Sequence, residues 1–161
     1  MPINYDEIMS LRSEDIEVTY TDKQSILYSL GVGLGNDPMN LDELKYVYEN
    51  SQLALPSMAT NFQYYRPLLL KTNLNFIMVV HGEQRLSLMN PIPVSGEFLM
   101  NMKVINCFDK GAAKGAVIET ETSVRLKKDD MPICKLISTT FARGDGGFGG
   151  TDATPSKKII L

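Results

Sequence analysis

From Phe76 to Ala142 apolar residues recur at every second position in run after run, and that period constrains the fold more than any other feature of the chain. In "HGEQRLSLMN" Leu86 and Leu88 alternate with Glu83, Arg85 and Ser87. Phe98, Met100, Met102 and Val104 then alternate with Glu97, Asn101 and Lys103. A third run sets Ala116, Ile118, Thr120, Thr122, Val124 and Leu126 against Glu119, Glu121, Ser123 and Arg125. A fourth, "ICKLISTTFA", alternates less cleanly. A period of two belongs to strands with one buried face. The connections "NPIPVSG", "DKG" and "KKDDMP" carry the turn residues of antiparallel hairpins, so a meander is expected.

The first third reads as helical. Thr21 and Gln24 have capping-box spacing, opening a helix with Ile26, Leu27 and Leu30 on one side and Gly31 as its stop. "GVGLGNDPMN" is a loop. Asn40 and Glu43 repeat the capping logic before "LDELKYVYE", with Leu41, Leu44 and Val47/Tyr48 on a shared face. Ser57 can cap a third helix, "MATNFQYY", which must end near Arg66 because Pro67 disfavours helical geometry in the residue before it. Early helices and a late antiparallel sheet make an α+β domain, the sheet wrapped on its most apolar helix. That domain is expected over residues 1–150, with 151–161 a C-terminal tail or linker.

Composition narrows the functions open to such a domain. The chain has 161 residues, 43% hydrophobic and 22% charged, enough for one core. A net charge of −3 without a basic cluster gives no footprint for nucleic acid. The longest strongly apolar stretch, Phe76 to Val80, is too short to cross a bilayer, and "MPINYDEIMSLRSED" lacks signal-peptide character; an intracellular protein without membrane contact is expected. Cys107 and Cys134 have no metal-ligand spacing and read as core thiols in preference to a disulfide. A single histidine rules out H-E-x-x-H and all-imidazole zinc sites, so no metal is expected.

Acid–base chemistry within this chain would therefore fall to carboxylates or to His81. By strict alternation His81 and Glu83 share one side of a strand, opposite to Leu86 and Leu88, which makes His81 a partly exposed edge residue. Glu49 could be a base, yet it stands four residues after Lys45, the spacing of a surface ion pair. Gly144 to Gly149 formally match G-x-G-x-x-G, but "TDATPSKK" is a poor helix to follow a dinucleotide loop, and the Rossmann reading fails. Backbone N–H groups in the "GGFGG" stretch, residues 146–150, could line a polar ligand; a flexible exit from the last strand is the simpler reading.

Three stretches together carry a resemblance: "YSLGVGLGNDPMNLDELKYVYENSQLALPSMA", "VVHGEQRLSLMNPIPVSGEF" and "RGDGGFGG". Over roughly residues 15–150 the chain resembles the N-terminal half of the 2-enoyl-CoA hydratase 2 unit, a MaoC-like dehydratase found in peroxisomal multifunctional enzyme type 2. The resemblance implies a hot-dog fold, an antiparallel sheet around a central α-helix. It implies a hydro-lyase of fatty-acid β-oxidation that interconverts (3R)-hydroxyacyl-CoA and trans-2-enoyl-CoA, with no cofactor beyond the coenzyme A of the substrate. Peroxisomal location, with the cytoplasm as alternative, and pairing with a second hot-dog domain or as a homodimer follow from it too.

The family's catalytic Asp and His lie in a motif resembling G-D-x-N-P-L-H in the second half of the unit. Nothing here matches it; Gly144-Asp145-Gly146 begins similarly but lacks Asn-Pro and His. Catalytic residues within this chain thus stay unassigned, with Glu49 and His81 as weak candidates. Substrate lining is expected at His81, Gly82, Gly146, Gly147 and Phe148. The alternative is a noncatalytic acyl-CoA-binding or dimerisation module, with a hot-dog thioesterase as a third choice.

Overall fold

The computed structural model describes residues 3–65 and 68–150, so the tail at 151–161 lies outside it. Five strands form one sheet: β1 (Ile16–Tyr20), β2 (Val79–Leu88), β3 (Gly96–Asp109), β4 (Ala116–Leu126) and β5 (Pro132–Ala142). Their order is β1-β3-β4-β5-β2, and every pairing is antiparallel. The inner faces of the two longest runs are as the alternation expects: Phe98, Met100, Met102, Ile118 and Val124 are buried. Phe98 stands opposite Leu126, and Met100 opposite Val124.

Two features depart from a simple meander. β2 pairs with β5 rather than β3, so "NPIPVSG" is a crossover past two strands and not a hairpin turn. Pro91 and Pro93 offer no N–H for a ladder, Ile92 is buried, and the Val94 carbonyl accepts the Ser25 hydroxyl at 2.8 Å. β1 comes from the segment read as helical, and its Val18 and Tyr20 are buried beside β3.

The imperfect fourth run has a local cause. Val124 pairs with Cys134 and Arg125 with Pro132, so Ile133 is an extra residue, and Ile133 and Cys134 are both buried. Cys107 and Cys134 are free buried thiols, pushed up to about 11 and about 12 by burial, with the Asp109 charge adding to the first.

The helices are shorter and differently faced than expected. α1 (Tyr5–Ser10) starts at Asn4, whose side chain accepts the Asp6 and Glu7 N–H groups. α2 (Asp22–Gly31) begins at the expected box, with Gln24 Oε1 accepting the Thr21 N–H at 2.7 Å. Its inward face, however, is Ser25 and Ser29, while Leu27 and Leu30 are 65% and 47% exposed. The serines can turn inward because Ser25 bonds Val94 and Ser29 bonds the Ser25 carbonyl, leaving neither hydroxyl unpaired.

After Asn40 the chain makes a 3-10 turn (Leu41–Glu43) and one α-turn, α3 (Leu44–Val47). Glu43 spends its carboxylate on the Gly35 N–H and the Asn40 amide instead of a helix cap. The segment laid on the sheet, Pro56–Tyr65, is a 3-10 run and not a regular α-helix. It drives Met58, Ala59 and Phe62 into the core, where Phe62 meets Phe98 edge-on at 5.2 Å and Tyr20 stacks on Phe98 at 4.9 Å. Such aromatic contacts add about 0.5–1.5 kcal/mol each beyond burial.

Candidate functional site

Under the end of the 3-10 run, on the inner face of the sheet, lies a pocket of about 290 Å³. Its walls are mainly apolar, with Leu68, Leu69, Leu70, Phe76, Val79 and Met102, and Gln63 and Tyr64 of the 3-10 run complete them. Its floor is a set of hydroxyls from the two central strands: Thr120 and Thr122 of β4, Ser138 and Thr140 of β5. His81 stands exposed at the β2 side of this floor, opposite Thr140.

The position of His81 follows from a bulge that alternation alone does not reveal. His81 pairs with Thr140 and Glu83 with Thr139, so Gly82 is the extra residue. The bulge reverses the phase, and His81 and Glu83 face opposite sides, contrary to the expectation that they share one. Gly82 does permit a close approach, but the neighbour is internal. A Cβ there would lie 2.1 Å from the Phe141 ring.

The outer face holds what Glu83 and Arg85 serve. Arg85 Nη2 lies 2.6 Å from Glu119 Oε1, and Asn106 donates to Glu119 Oε2 at 2.6 Å. Glu119 is only 2% exposed, so this is a buried carboxylate held across β2, β4 and β3. Glu119 faces outward as the alternation expects, and Arg85 and Asn106 close over it.

In the glycine stretch two backbone N–H groups are bonded to a carboxylate of the fold itself. Asp109 Oδ1 accepts the Gly147 N–H at 2.7 Å and the Gly111 N–H at 2.8 Å, and Oδ2 accepts the Gly149 N–H at 2.7 Å. The Gly147 bond is the main force holding the Asp109 carboxyl below the usual range; burial opposes it, and Gly111 and Gly149 assist. Gly147 has φ +83°, which L side chains rarely adopt. A Cβ on Gly146 would lie 2.3 Å from the Gly111 carbonyl, and the Phe148 ring stacks on Tyr5 at 6.2 Å. Asp145 accepts the Asn75 N–H at 3.1 Å. Gly147 and Gly149 thus tie the segment after β5 to the end of β3, while Gly146 lies against the β3–β4 turn and Phe148 against α1; Gly146, Gly147 and Phe148 are not among the residues bordering the pocket.

Glu49 is exposed in the turn after α3 and away from the pocket. The expected Lys45–Glu49 pair does not form, because the helix stops at Val47 and the spacing no longer brings them onto one face. A larger open groove of about 600 Å³ near Pro93 and Lys127 is bounded by a lysine already bridged to Glu17 at 2.9 Å and Glu97 at 3.5 Å. Among the described residues no three His, Cys, Asp or Glu side chains gather to hold a metal, and no helix is long and apolar enough to cross a membrane.

Comparison with known proteins gives this geometry a context. The family profile of the MFE-2 hydratase 2 N-terminal domain matches residues 18–144. The chain is 34% identical to the probable enoyl-CoA hydratase 2 of Dictyostelium discoideum, covering 99% of this chain and 54% of that protein. It is 36% identical to the peroxisomal multifunctional enzyme type 2 of Mus musculus, covering 89% of this chain and 20% of that protein. The crystal structure of a MaoC-like dehydratase from Phytophthora capsici superimposes with a TM-score of 0.77 at 26% identity, over 99% of this chain and 56% of that one. The fold is the α+β hot-dog of those dehydratases, and the chain spans about half the length of such relatives.

Proposed function

This chain belongs to the MFE-2 hydratase 2 N-terminal domain family, and on that premise we propose that it is one half of an enoyl-CoA hydratase 2, holding the acyl tail while a second hot-dog domain supplies the chemistry. The observation that carries this reading is a pocket of about 290 Å³ with mainly apolar walls in a chain whose sequence shows no match to the hydratase motif. In the reaction, water oxygen bonds to C3 of a trans-2-enoyl-CoA and a proton goes to C2, giving (3R)-hydroxyacyl-CoA. One group must take the water's proton and another must deliver the C2 proton. His81 is the pocket's imidazole, and among the described residues no carboxylate borders the pocket to pair with it. His81 is thus read as lining the acyl route, and the acid–base pair as belonging to the missing half. The reading calls for no cofactor.

Where that half would join is suggested by β2. It is a sheet edge with no strand beyond it among the described residues, flanked by exposed Ile77, Val80, Leu88 and Met89. An open apolar edge of this kind is completed by another strand, from a second hot-dog domain or a second copy. Peroxisomal residence is proposed on the named relative, with the cytoplasm as alternative; imaging against a peroxisomal marker decides.

The test is hydration of crotonyl-CoA and a longer enoyl-CoA, by this chain alone and joined to the second half of its relatives. Turnover is expected only in the joined protein, with the longer substrate preferred. Acyl-CoA binding without turnover in the joined protein would instead favour the noncatalytic module, and absence of both would end the acyl-CoA reading.

A further inference from the structure

The pocket floor does not suit a plain hydrocarbon. Thr120 is 6% exposed, borders the pocket, and its Oγ1 has no hydrogen-bond partner. Gln84, Ser138 and Thr120 stand in one row across β2, β5 and β4, because Ser138 is opposite both of the others. Paired residues of neighbouring strands share a face, so Gln84 belongs to the same inner surface. Both atoms of its amide are likewise buried without a partner. Two orphaned polar groups in a single row, one bordering a cavity, form the pattern that a polar ligand atom completes. An alkyl chain laid over Thr120 would leave its hydroxyl desolvated and unbonded, which disfavours that chain.

We infer that the pocket selects acyl chains carrying a neutral oxygen, a hydroxyl or keto group, on the part of the chain distant from the thioester, with Thr120 as the residue that reads it and Gln84 in support. This deepens the acyl-tail reading and rests on it. The oxygen is neutral because Thr120 and Gln84 are themselves uncharged and, among the described residues, no Lys, Arg, Asp or Glu borders the pocket. A threonine hydroxyl both donates and accepts, and so does a glutamine amide, so a hydroxyl or a carbonyl satisfies either. Sites that hydrogen-bond a substrate oxygen reject the analogue lacking it far more strongly than apolar pockets reject an added methylene.

The experiment is calorimetric titration of the 161-residue chain with decanoyl-CoA and with hydroxydecanoyl-CoA isomers whose hydroxyl is stepped along the distal half of the chain. One isomer is expected to bind about tenfold or more tighter than decanoyl-CoA. Thr120→Val keeps the shape and β-branching and removes only the hydroxyl; it should abolish that preference while decanoyl-CoA binds as well as before or better. Gln84→Leu should reduce the preference in part. Equal binding of all isomers and the parent by the wild-type chain overturns the inference and leaves the acyl-tail reading standing. A preference that survives Thr120→Val also overturns it. Failure of every acyl-CoA to bind overturns the acyl-tail reading itself, and the inference with it.

Discussion

Gly82 and Asp109 each take a meaning that depends on a contact distant in sequence. At Gly82 a methyl group would meet the Phe141 ring at 2.1 Å and the Thr139 carbonyl at 3.3 Å. The ring is half-exposed and can swing outward, so Gly82→Ala should cost about 1–2 kcal/mol by denaturant unfolding, as moderate overpacking does. The cost should shrink in a Phe141→Ala background, since the two substitutions share one contact. Asp109 has a folded-state pKa depressed by the glycine N–H groups, so its stabilising contribution is complete above the unfolded carboxyl value of about 3.9 and fades as pH falls through the lower folded value. Melting temperature against pH should therefore drop more steeply below about pH 4 in the wild type than in Asp109→Asn, whose ceiling at neutral pH should be lower. His81→Ala should weaken acyl-CoA binding several-fold with the fold intact, and Glu49→Ala should leave binding unchanged; equal effects in calorimetry would remove His81 from the pocket's function.

Among the elements, β2 depends most on a side-chain tie. It is an edge strand bent by its own bulge, and Arg85 fastens it through Glu119 of β4 to Asn106 of β3. Arg85→Ala would leave the nearly inaccessible Glu119 carboxylate without its cation. The expected loss is about 3 kcal/mol, near the lower end for broken buried pairs because Arg85 itself keeps contact with solvent. Replacing both residues by Met and Leu should recover much of that stability, and chemical denaturation of the single and double variants checks it. The 3-10 run Pro56–Tyr65 shows a related limit on propensity. Its apolar spacing suits a helix, and its geometry is set by having to seat Met58, Ala59 and Phe62 on a twisted sheet.

For the whole molecule the consequential feature is the β2 edge of the sheet, where apolar side chains stand exposed. Ile77, 96% exposed, and Val80 flank the free edge of β2, an arrangement that invites strand pairing. The isolated chain should therefore form a twofold dimer in light scattering, and Ile77→Lys with Val80→Lys should yield a monomer of unchanged helix and strand content by circular dichroism. A wild-type monomer at high concentration would rule out pairing through this edge.

The inner faces of β3 and β4, the α2 cap, the core cysteines and the hot-dog resemblance were legible in the sequence because each rests on residues a few positions apart: a period of two, a Thr-to-Gln spacing, an unbroken family word. What the tertiary structure decided involves partners far apart in the chain. Strand order put β5 beside β2 and turned "NPIPVSG" into a crossover; the Gly82 bulge separated His81 from Glu83; and Asp109 engaged the Gly147 and Gly149 N–H groups. Thr120 looks like any inward threonine until β5 and β2 align Ser138 and Gln84 beside it. A one-residue bulge changes which face every following side chain takes, and a hydrogen bond across 38 residues leaves no mark in a local pattern, so these features wait on the folded sheet.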